Sequence, residues 1–336
     1  MIVAGGVILL LCLLVGWICL RGMRIKTELT ARYPPPGQMV DVGGYRLHIN
    51  CQGSDAGHGT PAVVMEAAEF SLSWALVQPE VARFTSVCTY DRAGLGWSDR
   101  SPNPRTAGNI VKELHTLLER AGVQPPYVLV GHSKGGVLAR LYAHEYPDQV
   151  VGMVLVDAAH EEQELRFPES IARLNQRGRK QTAWALGPMA RLNSIGLLAP
   201  ILKRYSGRLL STIPEGVREM GLAVVLSDRF LKTVAEETIS VEENYAAARA
   251  AHIVTLGDIP LIVLTAVDQF TSLERRLPAK DVERLRTVVS ELQAELSILS
   301  PNGKQVTVEG SGHHIQVDRP QVVIDAIREV VEAVRH

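Results

Sequence analysis

Apolar and polar positions follow three different patterns along this chain. Residues 2–20 are apolar almost without interruption and carry no charged side chain. From residue 39 onward the apolar positions gather into short β-type runs at 39–42, 46–51, 62–65 and 86–90, and Gly43-Gly44 between the first two predicts a hairpin. Residues 110–121 place Ile110, Val111, Leu114, Leu117 and Leu118 at helical spacing, with Gly122 as the stop. A run at 127–130, a helix to about Tyr146 ended by Pro147, and a run at 151–156 follow. Continuous apolar runs of this length suit strands buried on both faces, so their alternation with helices predicts a doubly wound, mostly parallel α/β sheet.

Between about residues 160 and 259 strand-like runs become scarce and helical spacing dominates, at 169–179, 185–195, 217–226 and 228–251. That change predicts a helical cap inserted between two strands. The α/β alternation resumes with a strand at 260–267, a helix at 280–299, a strand at 305–308, a turn at 311–314 and a helix at 321–334. Residues 53–59 read as a loop, and Tyr33-Pro34-Pro35-Pro36-Gly37 as a stiff connection. The expected organisation is an anchor at 1–25, a linker at 26–37, an α/β core at 38–159 and 260–336, and the cap at 160–259.

The apolar N-terminal stretch is long enough to span a membrane. Its roughly 19 residues at about 1.5 Å rise approach the ~30 Å hydrocarbon thickness. No Lys or Arg precedes it and no Ala-x-Ala follows it, so an uncleaved transmembrane anchor is expected over a signal peptide. Arg21, Arg24, Lys26 and Arg32 all follow the span, which leans the large domain toward the cytoplasm. The chain of 336 residues has a net charge of −1, which offers no electrostatic footprint for nucleic acid.

The chemistry concentrates at Tyr127-Val128-Leu129-Val130-Gly131-His132-Ser133-Lys134-Gly135-Gly136. An apolar strand runs directly into Gly-x-Ser-x-Gly and a helical pattern. That spacing predicts a sharp strand-to-helix turn with Ser133 at its apex and the first helical N–H groups aimed at the same point. A serine hydroxyl needs a neighbouring imidazole to take its proton. Of ten histidines, His313 stands in a turn after a late strand and directly after a glycine.

With Gly131–Gly136, Tyr90-Asp91-Arg92-Ala93-Gly94-Leu95-Gly96-Trp97-Ser98 and Gly312-His313 in this order, the chain resembles the serine-type α/β-hydrolases over about residues 38–334. The resemblance implies an eight-stranded α/β-hydrolase sheet with the cap after the sixth strand. It implies Ser133 as nucleophile and His313 as base, with His314 pointing elsewhere and His132 packing. The acid is Asp157 at the end of the strand after the nucleophile helix, with Asp268 at the end of the next strand as the alternate; both strands end at one edge of the sheet. The oxyanion hole draws backbone N–H groups from Lys134 and, in the loop after the third strand, from Glu69. Ala67-Ala68 departs from the family's glycine-containing pair, and alanine tolerates positive φ poorly. Asp91 and Arg92 read as scaffold, and Lys134 as a solvated side chain or as a countercharge for Glu69.

The implied activity is cleavage of an acyl ester or amide through an acyl-enzyme, with a small hydrophobic acyl substrate and neither metal nor organic cofactor. Acyl transfer to another acceptor and a non-catalytic binding or signalling role on the same scaffold are the alternatives. Cys12 and Cys19 lie in the apolar span. Cys51 and Cys88 read as free buried thiols, although in this fold their strands are neighbours and a disulfide, with an oxidising compartment, is open.

Overall fold

The computed structural model describes residues 2–53, 60–271, 273–274 and 277–335. The loop expected at 53–59 therefore lies, apart from Gly53, outside the described residues. Eight strands form one sheet: β1 (Gln38–Asp41), β2 (Arg46–Gln52), β3 (Ala62–Glu66), β4 (Val87–Tyr90), β5 (Tyr127–His132), β6 (Val150–Val156), β7 (Leu261–Ala266) and β8 (Gly303–Val308). Their spatial order is β1-β2-β4-β3-β5-β6-β7-β8. β1 and β2 pair antiparallel, β2 pairs antiparallel with β4, and the rest are parallel. β3, β4, β5 and β7 are buried along their whole length, as continuous apolar runs require.

Among the described residues, ten helices of six or more residues accompany the sheet: α1 (Ile2–Arg32), α2 (Ala107–Ala121), α3 (Lys134–Glu145), α4 (Glu169–Ser194), α5 (Ala199–Arg204), α6 (Arg218–Val225), α7 (Phe230–Ile239), α8 (Val241–Ala251), α9 (Ala279–Ser297) and α10 (Pro320–Ala333). On one face of the sheet Leu114, Leu117 and Leu118 of α2 and Tyr142 of α3 pack against Leu129, Met153 and Val263. On the other, Val323, Ile327 and Val330 of α10 meet Val128, Val154 and Ile262. Helices thus cover both faces, and the sheet's edge of strand C-termini is left for a site. Thr106 caps α2 by accepting from the Asn109 N–H, and Gly122 closes it at φ 74°.

α4 to α8 all fall between β6 and β7. Two boundaries differ from the sequence pattern. Residues 169–194 form one helix that runs through Pro188, where two helices were expected. Residues 228–251 divide at Ser240, where one was expected. At the N-terminus the helix does not stop at the end of the apolar run. It continues through Arg32, so the non-helical connection is Tyr33–Gly37 rather than the whole of 26–37. The reason is tertiary: Leu29 is buried in a cluster with Phe70, Leu72, Leu210 and Leu222, which holds the last turns of α1 against the cap.

Candidate active site

Ser133 has φ 54° and ψ −122° at the junction of β5 and α3. For a residue with a Cβ this is a strained conformation, and it persists only where the surroundings over-determine it. Here the Ser133 N–H donates to the Val156 carbonyl at 3.2 Å, and the Ser133 carbonyl accepts from Gly136 at 3.0 Å and Ala159 at 2.9 Å. The glycines have steric reasons. A Cβ on Gly131 would lie 2.6 Å from Gly136 Cα, and one on Gly135 would lie 2.6 Å from the Glu66 carbonyl oxygen. Only with both absent can α3 cross the ends of β3 and β5 this closely.

His313 follows β8 and sits across the sheet edge. Its Nδ1 is 2.6 Å from Asp157 Oδ2. Asp157 ends β6 at φ 40°, a left-handed conformation that aspartate tolerates better than most residues. Its other oxygen accepts from the Ala266 N–H at 3.0 Å and the Gln269 amide at 3.2 Å. With the carboxylate acting as acceptor, Nδ1 is the donor, which leaves Nε2 of a neutral ring as the free acceptor. Burial pushes the His313 imidazole down, but the hydrogen bond and charge of Asp157 outweigh it, and the net direction is up from the ordinary value. Ser133, Asp157 and His313 all line one cavity of about 390 Å³, whose apolar walls include Phe167, Phe270 and Leu292.

Asp268 is not brought to His313 by any described hydrogen bond. Its carboxylate accepts the Gly310 N–H at 3.0 Å, and its own N–H donates to the Ser311 carbonyl at 3.1 Å. It therefore braces the turn that presents His313. His132 does more than pack: its Nε2 donates to the His313 carbonyl at 2.9 Å, tying the turn to β5. Nothing in the local sequence signals this bond, because its partners are 181 residues apart. Burial and the neighbouring imidazoles push His132 far down, so it is a neutral ring. The His314 ring lies beside it, tilted by 45° with ring centroids 5.2 Å apart. By donor type, Glu69, His132 and His314 are the group of described residues able to hold a divalent ion, with candidate atoms within 4.8 Å of one another.

The turn after β3 contains Ala67, Ala68 and Glu69. Among the described non-glycine residues only Ser133, Asp157 and His252 have positive φ, so this turn forms without the glycine that the family pattern suggested. Neither the Ala68 nor the Glu69 N–H has a backbone acceptor among the described residues. Arg92 holds the turn from behind: its guanidinium donates to the Ala67 carbonyl at 2.5 Å and the Ala68 carbonyl at 2.7 Å. Arg92 in turn pairs with Glu66 on β3 and with Glu237 on cap helix α7, the latter at 3.0 Å.

Lys134 is partly exposed, with 34% of its side chain accessible, and has no described hydrogen bond to Glu69; its ammonium pairs with Glu237. Burial works against the Glu237 carboxylate, but Arg92 and Lys134 prevail and hold it well below the ordinary range. Burial pushes Glu66 up to about 7 against the pull of Arg92. Asp91 is scaffold as well. It accepts from Ser71 N–H at 2.8 Å and Trp97 N–H at 3.1 Å and lies 2.7 Å from His48 Nδ1.

A strand order of this kind, with a nucleophile-elbow turn after the fifth strand and a histidine after the eighth, defines the α/β-hydrolase class of folds. Comparison with known proteins agrees. A family model described as alpha/beta hydrolase fold matches residues 58–217. A Gibberella zeae protein named AB hydrolase superfamily protein is 28% identical over 303 residues, covering 82% of this chain and 87% of that one. The Hormonema carpetanum protein named Probable transporter efuK is 27% identical over 328 residues, 88% of this chain and 42% of that one. The solved structure titled Epoxide hydrolase CorEH without ligand superposes with a TM-score of 0.65 at 19% identity, covering 89% of this chain and 99% of that chain. The chain has the α/β-hydrolase fold. It spans less than half the length of the first two curated relatives it matches, 42% and 46%.

Proposed function

We propose that this protein is a membrane-anchored serine hydrolase of acyl esters, with amides as second substrates. The observation that carries the reading is convergence on one cavity: Ser133 at the strained apex, and His313 with one ring nitrogen committed to Asp157. In this reading Ser133 Oγ attacks the acyl carbonyl while His313 Nε2 takes its proton, and Asp157 stabilises the resulting imidazolium. The backbone N–H groups of Lys134 and Glu69 receive the oxyanion. The imidazolium protonates the departing alkoxide or amine. Water, deprotonated by His313, then adds to the acyl-enzyme and releases the acid and the Ser133 hydroxyl. Every step uses the chain's own groups and water. The serine at this position disfavours epoxide opening of the kind named for the structural neighbour, which in this superfamily uses an aspartate nucleophile.

α1 is the anchor in this reading: within Val3–Arg32 its most apolar 18-residue window has a mean hydropathy of 2.7, and no residue of that window is buried. The experiment that tests the activity is labelling with a fluorophosphonate probe. The folded wild-type chain labels and Ser133→Ala does not. A folded wild-type chain that fails to label supports the binding or signalling reading instead. Transfer of the acyl group to an added alcohol in preference to water would support an acyltransferase.

A further inference from the structure

The cap carries a charge asymmetry that the proposed chemistry does not use. From Ser170 to Pro214 there are eight Lys and Arg residues and not one Asp or Glu, in a chain whose net charge is −1. Arg173 and Arg179 pair with Glu169 and Glu164 from outside this block. The other six, among them Arg191, Lys203, Arg204 and Arg208, are exposed and have no carboxylate partner among the described residues. Interleaved with them are large apolar side chains facing solvent: Trp184 at 79% exposure, Ile195 at 51%, Ile201 at 54%, Tyr205 at 53% and Leu209 at 55%. Exposed apolar and aromatic side chains mixed with unpaired cations are the composition of a surface that lies in a lipid headgroup region.

The placement of this block supplies the second observation. A Cβ on Gly196 would lie 2.6 Å from the Cys19 carbonyl oxygen and 2.7 Å from the Met23 nitrogen. The cap thus meets α1 where its uncharged run gives way to Arg21 and Arg24. Lys26 fixes the contact by donating to the Asn193 carbonyl at 3.0 Å. That level on α1 is where a spanning helix leaves the hydrocarbon. We propose that the face formed by residues 184–209 of the cap rests on an anionic phospholipid bilayer, continuous with the anchor and held at headgroup depth. This rests on α1 being a membrane anchor. The same block reaches the site. Arg179 lines the outer cavity with Lys180 and also a cavity of about 420 Å³ that ends at Glu69 and Lys134. A substrate drawn from the bilayer would enter there.

The test uses the full chain with Cys12→Ala and Cys19→Ala, reconstituted in phosphatidylcholine vesicles with or without phosphatidylserine at about one third of the lipid. An environment-sensitive maleimide dye is placed in turn at Ile201→Cys, Leu209→Cys and, on α10, Glu332→Cys. The first two dyes should emit to the blue and be quenched by doxyl-labelled lipid, more strongly with phosphatidylserine, while the third remains water-like. Lys203→Glu, Arg204→Glu and Arg208→Glu together should reduce the preference for the anionic vesicle by about fivefold per charge removed. A carbonate wash separates the two readings. Chain that washes off overturns the anchor and this proposal with it. Chain that is retained but emits as in water at 201 and 209, or quenches equally in both vesicles, overturns the cap surface alone.

Discussion

At the scale of single residues, the two candidate acids divide the work of one sheet edge. Asp157 touches His313, and Asp268 touches only the backbone that carries it. Asparagine at 157 keeps the shape but can present N–H toward Nδ1, which favours the wrong tautomer, so Asp157→Asn should slow fluorophosphonate labelling by about 10³–10⁴-fold. Asp268→Asn retains an acceptor for Gly310 and should label within a few-fold of wild type. Equal losses in both variants would sink the assignment. The pH profile gives a second readout of the same contact. Asp157 raises the His313 value above the ordinary one, and in the proposed mechanism His313 must be neutral to act, so wild-type activity should fall as pH drops through that raised value. Removing the carboxylate should move this acid limb to lower pH. Ser133 and His313 were legible in the chain because local motifs mark them. The choice of acid was not, because Asp157 and Asp268 both end strands at the same edge. Only the left-handed backbone at Asp157, a product of tertiary hydrogen bonds, directs one of them at the imidazole.

At the scale of elements, cap helix α7 reaches the nucleophile turn through one carboxylate. Glu237 joins Lys134 at the start of α3 to Arg92, and Arg92 holds the carbonyls of Ala67 and Ala68. Glu237→Gln would leave buried Arg92 and partly exposed Lys134 without their principal countercharge. Breaking one side of such a network costs about 3–5 kcal/mol. Thermal unfolding should show a loss of this order, and the labelling rate should fall as well, because the turn bearing Glu69 loses its brace. An unfolding midpoint unchanged from wild type would show the network to be dispensable. Arg92 reads as scaffold from its loop, but its partners were not readable, since Glu66, Lys134 and Glu237 are far from it in the sequence and nothing local joins them. The strands, by contrast, were readable nearly to the residue, because burial on both faces leaves an uninterrupted apolar run. The cap helices were read less well. Gly187-Pro188 looks like a break, yet α4 continues through it, and the lost hydrogen bond is tolerated where neighbouring side chains such as Trp184 face solvent.

At the scale of the molecule, α1, cap and turn share one apolar cluster: Leu29 of α1, Leu210 and Leu222 of the cap, and Phe70 and Leu72 beside the Glu69 turn. The site is thereby fastened to α1, and with α1 as the proposed anchor the side of the membrane it occupies becomes a single question for the whole chain. Two signals in the chain disagree. The basic flank Arg21, Arg24, Lys26 and Arg32 favours the cytoplasm. Cys51 and Cys88, however, are directly opposed on β2 and β4 and are joined as a disulfide, which corrects the expectation that both are free. Disulfides persist in oxidising compartments, whereas long domains cross membranes largely regardless of flanking charge. The disulfide favours an oxidising compartment for the domain, and the basic flank favours the cytoplasm. Denatured without reductant, chain taken from its native membrane should accept maleimide-polyethylene glycol at Cys12 and Cys19 only, and at all four cysteines after reduction. The bond closes a separation of 37 residues. By loop-closure entropy its loss in Cys51→Ala should cost roughly 4 kcal/mol. Four modified cysteines before reduction, with Cys51→Ala as stable as wild type, would return the domain to the reducing side and leave the basic flank as the determinant of topology.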